Sequence, residues 1–318
     1  MPSAEVASDL KDVAAGLLTP FDDADTDEIL LAELSATTDW LYDEGIRLFL
    51  AGANISEYHS LSRQERIDVV RVPCETLPAD ATVLAGVGGS TKTAVDLART
   101  HEEHGADAIM VMPPHHTFKH ERGVADYYGR IADAVDVGVV PYLRNFEVTV
   151  GLVEAIADHD NVVGIKWAIS DIELFAECVA TVDSDVVWVC GMAEPPAPAY
   201  YLEGAEGFTA GATNVEPRLG LAIFEALEAG DVERARDLRD LAQPFMNLRS
   251  EPGTDNVYPG ANSVPVLKTG LECAGQYGGP VREPLVELDD EDRERAERAY
   301  DHIQDGLREQ SPVSPERR

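Results

Sequence analysis

The chain has 318 residues and carries 59 Asp and Glu against 25 Lys and Arg, a formal net charge of −34. Nucleic-acid backbones and anionic lipid surfaces are both held by Lys and Arg, so this balance argues against either as a partner. With 44 % hydrophobic residues the chain is globular and large enough for one large domain or two small ones, which excludes disorder throughout.

Residues 1–11 read as a flexible terminus. Beyond them, eight short apolar runs rich in β-formers follow one another: VAAGL (13–17), IRLFLAG (46–52), TVLAGVG (82–88), DAIMVM (107–112), VGVVPYL (137–143), VVGIK (162–166), VVWVC (186–190) and EGFTAGA (206–212). Continuously apolar runs predict strands buried on both faces, and their spacing leaves room for one crossover helix each, the pattern of parallel βα units. The intervening helices carry their own stop and start signals. DEILLAELSATTDWLYDEG closes on Gly45, TAVDLARTHEEHG closes on Gly105, and DIELFAECVATV opens on Asp171 as N-cap. Eight units predict an α/β fold, a (β/α)8 TIM barrel over residues 12–240. A C-terminal helical annex is expected over 241–308 and a flexible tail over 309–318.

An open doubly wound sheet is the rival architecture. It calls for GxGxxG after the first strand, where this chain has LTPFDDADT; GVGGST (86–91) comes third and lacks the spaced lysine of a phosphate-binding loop. No run of about 18 apolar residues is present, and residues 1–15 carry acid without an apolar stretch, so neither a spanning helix nor a signal peptide is expected. The expected compartment is the cytoplasm. Cys74, Cys178, Cys190 and Cys273 stand far apart with no CxxC pair; they read as buried small apolar residues rather than disulfides, and no metal is expected. The acid is spread along the whole chain and lysine is reduced to positions 11, 92, 119, 166 and 268, a composition that suits a halophile because concentrated salt screens such a surface.

In a barrel of this kind the reactive side chains stand at the C-terminal ends of the strands. Those positions hold Asn54 and Ser56 after the second strand, Ser90 and Thr91 after the third, and His115 and His116 after the fourth. Tyr142, Arg144 and Asn145 end the fifth, and Lys166 ends the sixth. Lys166 stands out as an ammonium inside an apolar strand. Burial disfavours its charged form and turns it into a usable amine nucleophile; the other reading is a structural lysine buried against a carboxylate. Tyr142, brought beside it on the neighbouring strand, either shuttles protons or only packs. Lys268 reads as a core-edge lysine whose head snorkels to solvent from the start of an annex helix.

Several segments together are similar to the dihydrodipicolinate synthase/N-acetylneuraminate lyase family. They are LTPF, the ANISEYHSLSRQER segment after strand two, GVGGSTKTAVDLARTHEEHGADAIMVMPP, PYLRN, VVGIKWAISDIE, EGFTAGATNVEP and GGPVREPL, in order from residue 14 to about 305. The resemblance implies a class I lyase in which Lys166 forms a Schiff base with a 2-oxo acid and Tyr142 moves protons. It also implies no cofactor and a homotetramer built as a dimer of dimers. Asn54, Ile55, Arg144, Asn145, Gly191 and Thr209 become candidate substrate contacts, and Ser56, His115 and His116 candidate supporting or inter-subunit residues.

Departures from the family narrow the reading. Ala53-Asn54-Ile55-Ser56-Glu57 replaces the two-threonine GTTGE loop, His115 and His116 replace paired tyrosines, and Glu147 stands where the synthase has an arginine. Tyr142-Leu143-Arg144-Asn145 resembles the branch that dehydrates 2-keto-3-deoxy sugar acids. Aldol cleavage releasing pyruvate, dihydrodipicolinate synthesis and a non-catalytic sugar-acid-binding homologue are the alternatives.

Overall fold

The computed structural model describes residues 3–24 and 26–310. Eight parallel strands close on themselves in sequence order, β1 (Val13–Gly16), β2 (Leu48–Ala51), β3 (Thr82–Val87), β4 (Ala108–Val111), β5 (Gly138–Leu143), β6 (Gly164–Trp167), β7 (Val187–Cys190) and β8 (Gly207–Thr209), with β8 pairing back to β1. Every strand residue is buried, as continuous apolar runs require when a sheet is covered on both faces. Alternation along each strand divides these residues between two cores. Leu48, Leu84, Met110, Val140 and Val187 fill the barrel interior, while Phe49, Ile109, Val139, Ile165 and Trp188 meet the surrounding helices. This is the (β/α)8 TIM barrel expected from the eight runs.

The helices are α1 (Ser3–Asp9), α2 (Leu31–Asp43), α3 (Arg63–Thr76), α4 (Thr91–Glu103), α5 (Glu121–Ala132), α6 (Val150–Ala157), α7 (Ile172–Thr181), α8 (Ala197–Leu202), α9 (Pro217–Glu228), α10 (Val232–Ser250), α11 (Ser263–Cys273) and α12 (Asp290–Gln310). Asp171 caps α7 as expected, its carboxylate accepting the Leu174 amide at 2.9 Å. The first long helix begins at Leu31 rather than at residue 27, because Ile29 is held extended in a bridge to Phe21. Ser90 and Thr91 are spent on α4: the Ser90 hydroxyl accepts the Thr93 amide at 3.2 Å.

Three expectations need correction. The start of the chain is helical from Ser3, and Val6 and Leu10 are fully buried against the interior layer of the barrel; a plug of two apolar residues among polar ones carries too little periodicity to read from sequence. The boundary at 240 falls inside α10, which runs unbroken from Val232 to Ser250, so the annex begins one helix earlier. Of the four cysteines only Cys178 and Cys190 are buried, Cys74 is half-buried, and Cys273 is exposed at the last turn of α11. The tail lies outside the described residues beyond Gln310, the last residue of α12.

Candidate active site

The C-terminal ends of the strands open into a cavity of about 1020 Å³. Parallel pairing sets its chemistry: Tyr142 on β5 is in register with Lys166 on β6, and both point inward because their neighbours Leu143, Ile165 and Trp167 pack outward. The Lys166 ammonium lies 4.2 Å from the centroid of the Tyr142 ring. Lys166 is 7 % exposed and forms no ion pair among the described residues. The carboxylate-paired alternative for this lysine therefore has no partner. Burial is the main force on the amine and lowers its pKa, with Tyr142 opposing and Arg144 adding to the fall.

Tyr142 is 2 % exposed, and its hydroxyl accepts a hydrogen bond from Arg144 Nη1 at 3.0 Å. Burial raises the phenol's pKa, but the charges of Lys166 and Arg144, with hydrogen bonds from Arg144 and Asn54, outweigh it and the net direction is down. Tyr128 fixes the backbone beneath by donating to the Tyr142 carbonyl at 2.8 Å. Gly191, at the end of β7, serves by having no side chain: a Cβ there would meet Lys166 Cγ at 2.9 Å and the Trp167 carbonyl at 3.0 Å. Gly16 does the same for Ile55, whose Cδ1 lies 2.3 Å from where a Cβ would stand.

Asn54, Ile55, Arg144, Asn145, Gly191, Thr209, His115 and His116 all line this cavity together with Lys166 and Tyr142. Ser56 does not. Its hydroxyl is buried in the turn, where it donates to the Leu17 carbonyl and accepts the Ala53 amide at 3.0 Å. That turn is a short helix, Asn54–Ser56, whose opening amides belong to Asn54 and Ile55 and have no partner within the helix itself. It ends on Glu57 in the left-handed region, φ 55°.

Glu57 leads to a second correction. Lys268 is not at the core edge but in the middle of α11, 2 % exposed, with its ammonium 2.8 Å from Glu57 Oε1. The other Glu57 oxygen accepts the Arg282 amide at 2.9 Å. The annex thus anchors the turn that carries Asn54 and Ile55. Replacing Lys268 with Met is expected to leave a buried unpaired carboxylate and cost ~3–5 kcal/mol, measured by denaturant unfolding. Adding Glu57→Gln to that variant is expected to recover much of the loss, and a single variant as stable as the wild type would show the pair to be immaterial.

Sequence reading missed His59, Lys119 and Arg249, which also line the cavity. His59 stacks on His115 with ring centroids 4.5 Å apart; its pKa is lowered, mainly by burial and then by His115. Arg249 comes from α10 in the annex, and no spacing signal points a C-terminal helix into a barrel mouth. Among the described lining residues there is no Asp or Glu, although the chain holds 59 of them. A strongly acidic protein therefore presents a cationic cavity, which draws an anionic ligand.

The model of the dihydrodipicolinate synthetase family matches residues 9–303. The chain belongs to that family. The family-wide resemblance of the segments from LTPF to GGPVREPL is thus borne out over nearly the whole length. The chain is similar to a probable 5-dehydro-4-deoxyglucarate dehydratase of Ectopseudomonas mendocina, 29 % identical over 255 residues, 79 % of this chain and 82 % of the relative. Among solved structures it is similar to dihydrodipicolinate synthase from Oceanobacillus iheyensis, with a TM-score of 0.89 and 30 % identity over 97 % of this chain and all of that one. The synthase from Bacillus clausii matches as well, with a TM-score of 0.89 and 31 % identity over 94 % of this chain and 99 % of that one. Glu147 is exposed and outside the cavity.

Proposed function

We propose that this member of the dihydrodipicolinate synthetase family is a class I hydro-lyase that dehydrates a 2-keto-3-deoxy sugar acid through an imine at Lys166. The observation that carries the reading is the cluster of Lys166, Tyr142 and Arg144, with Arg144 donating to the Tyr142 hydroxyl at 3.0 Å in a cavity free of carboxylates. The dehydratase names of relatives at 29 % identity agree with it.

The neutral amine of Lys166 adds to the C2 ketone, and Tyr142 gives a proton to the departing oxygen as the iminium forms. The iminium acidifies C3. Tyr142, now a phenolate held by Arg144, takes a C3 proton, and the resulting enamine pushes out the C4 hydroxyl. The same proton returns to that oxygen and water leaves, giving an iminium conjugated to a C3–C4 double bond; for a pentonate a C5 proton and then the O5 proton shift to C3 and C4, leaving an aldehyde at C5, and a water hydrolyses the imine to free Lys166 and the product. The cation of Arg144 offsets the charge developing on the leaving oxygen. The α-carboxylate is received by the amides of Asn54 and Ile55, which form a small anion-binding nest.

The test is the product. Purified protein given 2-keto-3-deoxypentonate is expected to yield 2-oxoglutarate semialdehyde, read by coupling to a semialdehyde dehydrogenase, with no pyruvate by coupling to lactate dehydrogenase. Release of pyruvate and an aldehyde would make it an aldolase.

The proposal extends to a cytoplasmic homotetramer from a halophile. At −34 like charges repel until screened, and the Debye length falls from ~10 Å at 0.1 M salt to ~3 Å at 1 M. The melting temperature is expected to climb through that range of KCl; a flat profile would contradict a halophilic origin.

A further inference from the structure

Glu57 stands in a conformation that glutamate avoids. Its φ of 55° lies in the left-handed region, where a Cβ crowds the backbone and glycine is the residue of choice. Strain of this kind persists only where the surroundings over-determine it, and it gathers where a site must be held in shape. Glu57 is 4 % exposed and closes the turn that carries Asn54 and Ile55.

The surroundings do over-determine it. One carboxylate oxygen lies 2.8 Å from the Lys268 ammonium, and the other accepts the Arg282 amide at 2.9 Å. Both partners come from the annex, and both cations lie over the ring of Phe21, Lys268 at 4.6 Å and Arg282 at 4.2 Å from its centroid. The carbonyls on either side of Glu57 are gripped as well. Thr19 donates to the Ser56 carbonyl at 2.6 Å and Arg66 to the Tyr58 carbonyl at 3.0 Å.

None of these anchoring groups lines the cavity, whereas Asn54 and Ile55 do. The turn is thus held from behind and open in front. It shares the cavity with Lys166, which is 7 % exposed and has no ion-pair partner among the described residues. Amides already set in place lose little freedom when a ligand arrives, so a turn confined to one conformation binds more tightly than a mobile one. Glycine would take this φ without strain; glutamate takes it only because its carboxylate is tied down.

We infer that Glu57 is a positioning residue for the α-carboxylate of the substrate: tied to Lys268 and Arg282 of the annex, it locks the turn in the conformation that presents the Asn54 and Ile55 amides to the cavity. The inference rests on the imine at Lys166 and the carboxylate-receiving turn proposed above. Through this tie two annex residues outside the cavity set how tightly a 2-oxo acid is held.

The experiment compares pyruvate with pyruvamide, which differ only in that an amide replaces the carboxylate, by borohydride trapping on the intact protein. In the wild type the adduct is expected to half-saturate at about tenfold lower pyruvate than pyruvamide, the range of a charged hydrogen-bonded contact. Glu57→Ala combined with Lys268→Met removes both charges of the pair but leaves a Cβ in the left-handed region; the turn is expected to relax and the preference to fall below about twofold. Glu57→Gly combined with Lys268→Met removes the same charges and the same bonds yet carries no strain, and is expected to recover the preference to at least about fivefold. An alanine variant that keeps the preference, even with both compounds held more weakly, would make Glu57 a purely structural residue. Loss of the preference in the glycine variant as well would overturn the role of the backbone conformation. A wild type that traps both compounds alike would strike the receiving turn, and one that traps neither would strike the imine; either overturns the inference without any variant, so a misfolded protein cannot shelter it.

Discussion

Lys166→Ala is expected to abolish turnover and borohydride trapping together, while leaving the barrel as stable as before or more so. The two expectations separate the readings of a buried lysine. An amine that exists to neutralise an acid leaves that acid stranded when removed, at a cost of ~3–5 kcal/mol. Lys166 has no such acid beside it, and burial already disfavours its charge; deleting it removes a desolvated group rather than breaking a pair. Lys268, paired with Glu57 at 2.8 Å, is the internal contrast, for which activity loss and stability loss are expected to travel together. Full activity in Lys166→Ala, or an adduct that maps to Lys268, would refute the assignment of the nucleophile.

The contrast between these two lysines also shows where sequence reading reaches and where it stops. Both sit in apolar surroundings in the sequence. A strand with period two and a known register places Lys166 inward beside Tyr142 from local pattern alone. The partner of Lys268 lies 211 positions away in the turn after β2, and no local pattern encodes a contact at that separation. The eight strands were legible because burial on both faces demands an unbroken apolar run. The plug formed by Val6 and Leu10 was not, since one valine in a short helix and one leucine just past its end carry no periodicity to read. Arg249 was hidden for the same reason as Glu57: its place depends on how the annex folds back over the mouth. Of the candidate residues, those after β2, β4, β5 and β6 line the cavity, whereas Ser90 and Thr91 open α4 and Ser56, one position beyond Ile55, turns inward to hold its own loop.

Tyr142→Phe is expected to lower kcat by ~10²–10⁴-fold, the usual worth of a positioned general acid–base group, with a much smaller change in KM. The substitution removes one oxygen from a packed ring, so the ring itself stays in place beneath the Lys166 ammonium, 4.2 Å from its centroid. What disappears is the one hydroxyl to which Arg144 donates, and with it the group that carries a proton from C3 to the leaving oxygen. Imine formation is expected to slow, because carbinolamine dehydration needs the same proton, yet trapping at long incubation is expected to survive since Lys166 remains. The pH profile supplies the second readout. In the wild type the charges of Lys166 and Arg144 bring the phenol below its ordinary value, so an alkaline limb is expected below pH 10 as the acid form is lost. That limb is expected to vanish in Tyr142→Phe. A variant with kcat within about threefold of the wild type, or one that keeps the alkaline limb, would assign the proton transfers to another group in the cavity, with the stacked His59 and His115 pair next to be tested.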